Sequence, residues 1–302
     1  MEKMHFINQS GQQVFYLRWL VAAPKAAVVI AHGMVEHPAR YDDLATFLNS
    51  SGIAVYGIYH IGHGPDAAIL NHMGEGDFDR CVDHLHGLVQ LAKAETGTPV
   101  FLLGHSMGSF LSQLYVTKYQ DLAGLILSGS TKASPVAKVG AVLASIMTAL
   151  SKDKTSPSPF MNNMAFGAYN KRYPKGSPAA AWITRDDALV ARYMRDPFCN
   201  YRFTVRGYID LFTLLGEVSD KRWAARMPKD LPILLMAGEQ DPVGNYGRGV
   251  RTVYDRLLAA GVQKVELKLY PDDRHEIHNE LDREVVYADL LAYIQTTIER
   301  KS

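Results

Sequence analysis

Cysteine is scarce in this chain: 302 residues hold two, Cys81 and Cys199. They lie far apart, so no disulfide framework is expected, and two thiols suit a reducing compartment. Long apolar runs are missing as well. No stretch reaches the roughly 18–20 residues that a membrane-spanning helix needs. The opening segment, MEKMHFINQSGQQ, has neither the basic start nor the apolar core of a secretory signal. A cytoplasmic protein is therefore expected. Charge of one sign is nowhere concentrated. The net charge is +1 and the basic residues are scattered, which argues against a nucleic-acid partner. There is no repeat of fixed period and no low-complexity linker.

What is present is ordinary globular composition, with 47% hydrophobic and 21% charged residues. The length suffices for one large core, or a core with a lesser subdomain. MHFINQ and QVFYLRWL, around the turn residues Ser10 and Gly11, read as a hairpin. AAVVIAHG, IAVYGIYH, PVFLLG, LAGLILSGS, LPILLMAGEQD and KVELKLYP read as further strands, most of them continuous apolar runs. Helical spacing separates them. One helix closes on Gly52, one starts at Asp77, and one follows Ser106. Strands alternating with helices imply a mainly parallel sheet of about eight strands, covered on both faces. The rhythm breaks after Ser130. Residues 131–228 read as helices and loops, an insertion dividing a core of 1–130 and 229–302. A lid or cap is expected there.

The stretch GHSMG, Gly104 to Gly108, places a serine between two glycines where a strand turns into a helix. Such a turn strains the middle residue and lifts its hydroxyl above the sheet. Small neighbours are needed because a Cβ would clash in the tight turn. Alone the pentapeptide is a weak signal. Its strand-to-helix context strengthens it. Met107 opens the helix, so its backbone N–H is free of intrahelical bonding and can face an oxyanion. A serine hydroxyl also needs a base, and the base needs an acid to orient it. In this architecture the order is serine, acid, histidine. Asp241, in MAGEQDPVG, stands just past a strand end. His275, in YPDDRHEIHNE, lies in the loop before the last helix. Asp272, Asp273 and His278 are nearby rivals. HEIH is one residue short of the zinc-protease pattern H-E-x-x-H. The second oxyanion donor is expected from HGMVEHPARY, at the Met34 N–H. His32, Glu36, His37 and Arg40 are read as pinning that loop.

Together AHGMVEHPARY, GIYHIGHG, LLGHSMGS, LLMAGEQDPV and YPDDRHEIHNE resemble the α/β-hydrolase family. More narrowly, they resemble its monoacylglycerol lipase and lysophospholipase branch, grouped with the serine aminopeptidase-like hydrolases. The resemblance implies an α/β-hydrolase fold with a helical cap. It implies Ser106 as nucleophile, Asp241 as acid, His275 as general base, and Met34 and Met107 as oxyanion donors. It implies no cofactor and no metal. There is one departure: the family usually carries an aspartate where this chain has His60. The expected reaction is hydrolysis of a small acyl ester through an acyl-enzyme, with monoacylglycerol or lysophospholipid as the substrate type.

The inserted segment is rich in aromatic residues and methionine: Phe160, Met161, Met164, Phe166, Trp182, Met194, Phe198, Phe203 and Phe212. These suit an acyl pocket, and equally plain packing. Pro135 to Leu150 reads as a buried cap helix, or a lid helix touching a lipid surface transiently. The alternatives are an aminopeptidase, a short-chain or aryl esterase, or an idle hydrolase fold serving as a receptor. An aminopeptidase needs an acidic pocket, for which Asp186, Asp187, Glu217 and Asp220 are the candidates.

Overall fold

The computed structural model describes residues 1–74, 77–132, 155–199 and 201–300. The stretch from Pro135 to Leu150 lies outside the described residues. Glu2–Ile7 (β1) and Gln13–Trp19 (β2) form an antiparallel hairpin, and β2 pairs antiparallel with Ile53–Ile58 (β4). Beyond that edge every pairing is parallel. The strands are Ala26–Ala31 (β3), Val100–His105 (β5), Gly124–Ser128 (β6), Ile233–Gly238 (β7) and Val265–Tyr270 (β8). Their order across the sheet is β1-β2-β4-β3-β5-β6-β7-β8.

The central strands are buried on both faces, which is why they read as unbroken apolar runs. Alternate residues serve opposite layers. Val28 and Ile30 of β3 face the layer built by Asp42–Ser50 (α1) and Arg283–Glu299 (α9), with Leu44, Leu48, Leu290 and Ile294. Ala27, Val29 and Ala31 face Asp77–Thr96 (α2), Met107–Lys118 (α3) and Arg248–Ala259 (α8), with Val82, Leu85, Leu111 and Val253. Each such fully buried aliphatic side chain contributes about 1.5–3 kcal/mol.

Between β6 and β7 lie Pro159–Phe166 (α4), Asp187–Arg195 (α5), Val205–Ser219 (α6) and Lys221–Ala225 (α7). Among the described residues, this insertion has no large apolar cluster of its own. Leu214, Val218 and Trp223 join the same apolar cluster as Leu111 and Leu114. The Trp223 indole N–H donates to the Gln113 carbonyl at 3.2 Å. A separate small cluster contains Ala180, Ile183 and Val190. Among the described residues, no helix is long and apolar enough to cross a membrane.

The order of strands fixes where a ligand can sit. From β3 the chain runs outward to β4, then returns to place β5 on the other side of β3. Connections therefore leave β3 and β5 in opposite directions, opening a crevice at their C-terminal ends. Gly33 and Met34 follow β3 there, and Ser106 follows β5.

Candidate active site

Ser106 joins β5 to α3 with φ 52° and ψ −119°, in the left-handed half of the map. An L-residue held there is strained. Several hydrogen bonds impose the conformation. The Ser106 N–H donates to the Ser128 carbonyl at 2.9 Å, and its own carbonyl accepts from Ser109 N–H at 2.9 Å and Ser109 Oγ at 2.6 Å. The flanking glycines are needed for close approach. A Cβ on Gly108 would run into the Ala31 carbonyl, and one on Gly104 into the Gly108 carbonyl. The result is a partly exposed serine directly before the first N–H groups of a helix. The first of these, the Met107 N–H, has no intrahelical carbonyl to bind.

His275 sits in the loop between β8 and α9, 3% exposed. Its Nδ1 lies 2.9 Å from Asp241 Oδ2, and Asp241, in the loop after β7, is fully buried. The carboxylate's other oxygen accepts the Val243 N–H at 2.7 Å, which fixes its plane. With Nδ1–H donating to the carboxylate, Nε2 keeps its lone pair. The ring is held by neighbours: Trp182 at 5.1 Å and His105 at 4.6 Å between centroids. Asp272 is exposed, and Asp273 is turned to Arg185 at 2.7 Å. His278 stacks on Tyr41 at 4.4 Å.

Electrostatics separate these imidazoles. Burial pushes His32 and His105 well below the usual histidine range and His278 to about 4. Burial also opposes charge on His275, but the Asp241 carboxylate outweighs it and leaves this group above its ordinary value. So His275 combines basicity with an orienting acid.

The loop after β3 is held by side chains on both sides of Met34. Gly33 N–H donates to Glu36 Oε1 at 2.5 Å, and Val35 N–H donates to His63 Nε2 at 3.2 Å. Val35 itself has φ 59°. His63 Nδ1 donates to the Ile61 carbonyl at 3.0 Å and His32 Nδ1 to the Gly33 carbonyl at 2.7 Å. His32 Nε2 accepts the His60 N–H at 3.2 Å. His32 and His63 thus act as neutral clips of one tautomer each. His60 is buried and pushed to about 3 by burial and by His63. Its ring nitrogens have no partner among the described residues. It contributes bulk in this loop and no charge. His37 reaches the inserted segment instead, with Nε2 2.9 Å from Asp196 Oδ2.

Ser106, His275, Met34 and Met107 all line one cavity of about 1090 Å³. Its apolar lining includes Phe110, Met164, Phe166, Leu211, Phe212 and Leu215. Trp182 also lines it, whereas Phe160 points to solvent, 58% exposed, and Phe203 is fully buried in the core. Asp186, Asp187, Glu217 and Asp220 do not line the cavity; Asp186 and Asp220 cap helices α5 and α7. Among the described residues, the carboxylates that do line it are Glu36 and Glu276. Glu276 is one residue that the sequence reading passed over, and its only signal there was adjacency to His275. Among the described residues, two groups of side chains have the composition of a cation site: His37, Asp196 and Cys199, and Asp273, Glu280 and Asp282. The first is already paired internally, and the second already surrounds Arg185.

Comparison with known proteins agrees with this architecture. The family model described as serine aminopeptidase, S33, matches residues 22–282. The monoacylglycerol lipase of Mycolicibacterium smegmatis is 28% identical over 297 residues, covering 96% of this chain and 95% of the relative. The human monoglyceride lipase is 29% identical over 283 residues, covering 92% of this chain and 84% of its own. A crystal structure of a thermostable carboxyl esterase from Bacillus coagulans, in complex with glycerol, superimposes with a TM-score of 0.91 at 28% identity. It covers 98% of both chains.

Proposed function

The chain belongs to the serine aminopeptidase S33 family of α/β-hydrolases, and we propose that it is a serine ester hydrolase of lipid-like monoacyl esters, with Ser106 as nucleophile, His275 as general base and Asp241 as the orienting acid. The observation that carries the reading is the 2.9 Å contact from His275 to buried Asp241 at the wall of the cavity that Ser106 also lines.

Ser106 Oγ attacks the ester carbonyl carbon while His275 Nε2 takes its proton. The Met34 and Met107 N–H groups receive the negative oxygen of the tetrahedral intermediate. As the intermediate collapses, His275 gives the proton to the departing alcohol and the acyl group stays on Ser106. Water then repeats the sequence and frees the acid. The residues around β6–β7 serve as a cap: Met164, Phe166, Leu211, Phe212 and Leu215 offer the acyl chain an apolar wall. The named activities of the relatives, monoacylglycerol lipase and carboxyl esterase, fit this division of the cavity. The two cysteines, both buried and free, suit a cytoplasmic enzyme.

An aminopeptidase reading finds support in the two cavity carboxylates, Glu36 and Glu276. Arg40 engages both and balances one of them, and burial pushes Glu36 up to about 7, so less than one full negative charge is left near neutral pH to hold a substrate ammonium. The test is a panel of p-nitrophenyl esters of graded acyl length, with monoacylglycerol, lysophosphatidylcholine and an aminoacyl anilide. Turnover that favours medium or long acyl esters supports the proposal. Turnover of the anilide alone overturns it.

A further inference from the structure

A buried ionic bridge runs beside the cavity, from the loop after β3 to the loop that carries His275, and its two carboxylates, Glu36 and Glu276, line the cavity. It starts at Gly33, whose N–H binds Glu36 Oε1 at 2.5 Å; Tyr41 OH donates to the same oxygen at 3.0 Å. Glu36 Oε2 accepts from Arg40 Nη1 at 2.9 Å. The guanidinium then grips Glu276 with both arms, Nη1 to Oε1 and Nη2 to Oε2, each at 2.6 Å. Asn279 Nδ2 donates to Glu276 Oε2 at 2.9 Å. Glu276 is the residue after His275, and Gly33 is the residue before Met34. The Arg40 and Glu276 side chains are 11% and 4% exposed.

We propose that Glu276, acting through Arg40, is a positioning residue that sets the distance between the general base and the oxyanion loop. The inference rests on the reading of His275 and Met34 given above. The two groups act on opposite sides of one carbonyl carbon, and they come from loops 236 residues apart in the case of the Arg40–Glu276 contact. Covalent structure cannot hold such a distance. A planar fork on a carboxylate can, because two parallel bonds fix both separation and angle. One guanidinium also serves two carboxylates. Burial, reinforced by Glu276, pushes Glu36 upward despite Arg40, while for Glu276 the Arg40 charge outweighs burial and holds it down. Glu276 is therefore the carboxylate that carries the ionic grip, and Glu36 the one that passes it on to Gly33. Other titratable groups facing this cluster are His275, His278 and His105 from one side and Tyr41, His37, Asp196 and Cys199 from the other.

The experiment uses the full chain, with active sites counted by fluorophosphonate titration and kcat and KM measured on a p-nitrophenyl ester. The variants are Glu276→Gln, Arg40→Lys and the double substitution. Misplacement of reacting groups by a fraction of an ångström to an ångström costs on the order of 10- to 100-fold. Each single variant is expected to lose at least about tenfold in kcat per titrated site, with KM within about threefold. The double variant is expected to be no worse than about threefold below the weaker single, since both break one bridge. A kcat per titrated site reduced by less than tenfold, a loss confined to KM, or additive losses would overturn the proposal. Glu276→Asp, which keeps the charge and shortens the arm, carries the same test if Glu276→Gln does not fold. The titration of the unsubstituted protein is read first. If Ser106 takes no label there, it is the nucleophile assignment that fails, separately from the bridge.

Discussion

His275 Nδ1 and Asp241 Oδ2 lie 2.9 Å apart, joined from two loops 34 residues distant in the chain. The contact raises the basicity of an imidazole that burial alone would lower. Its consequence is a pH dependence of definite sign. In the proposed role of general base His275 works only when neutral, so kcat/KM should rise with pH through an inflection above the ordinary 6.5 of histidine. In Asp241→Asn the carboxylate is gone and burial remains, so the inflection should move down. The amide also disturbs the tautomer, and kcat should fall on the order of 10⁴-fold. A pH–rate profile of both proteins checks each point. An unmoved inflection with near-normal turnover would mean that Asp241 is not the acid.

Ser106 stores strain at φ 52°. Glycine adopts that conformation without a Cβ penalty. Ser106→Gly should therefore gain stability, by about 1 kcal/mol, while losing turnover by a factor on the order of 10⁶. Denaturant unfolding and ester turnover on the same preparation check the pairing of opposite effects. Equal or lower stability would show that the elbow is not under strain.

Gly108 has the opposite character. Its φ is ordinary, and what it supplies is space against the Ala31 carbonyl. Gly108→Ala should force α3 away from β3 and cost about 2–4 kcal/mol. A melting curve checks this, and near-normal stability would show that α3 can shift freely.

Arg185 stands among three carboxylates. It meets Asp273 Oδ1 at 2.7 Å, Glu280 Oε2 at 2.9 Å and Asp282 Oδ1 at 2.5 Å. Asp273 and Glu280 are almost fully buried. Arg185→Ala leaves them facing each other without a counter-ion, at a cost of about 3 kcal/mol. Without Arg185 the native Asp273 carboxyl holds its proton still more tightly than the unfolded chain does. The deficit should then be smallest in acid and grow as pH rises through about 7, where burial already places Asp273. Denaturant unfolding across pH measures it, and a deficit independent of pH would contradict the account.

Much of the fold was legible because central parallel strands are buried on both faces and announce themselves as apolar runs. AAVVIAHG and PVFLLG are such runs, and both end at the crevice. The GHSMG stretch was legible for a steric reason, since only glycine tolerates the approach of Ala31 and Gly108 backbone at those positions. The Asp241 and His275 positions could be singled out by chain order and by their place after strands. The bridge through Arg40 could not be read, because no local pattern announces a partner 236 residues away. For the same reason the sequence points to Asp186, Asp187, Glu217 and Asp220 of the inserted segment as candidate cavity acids, and none of them lines the cavity. The loop after β8 delivers Glu276 there instead. The boundary at residue 228 followed the loss of strand rhythm. Helicity alone could not show that α6 and α7 pack into the main core through Leu214 and Trp223.

The most direct measurement is reaction with a fluorophosphonate followed by peptide mapping, on the unsubstituted protein and on His275→Ala. One phosphonyl group on Ser106, formed in step with loss of ester hydrolysis and greatly slowed without His275, is the predicted result. Ester hydrolysis that survives full exposure to the probe, or a label on any other side chain, would contradict the assignment.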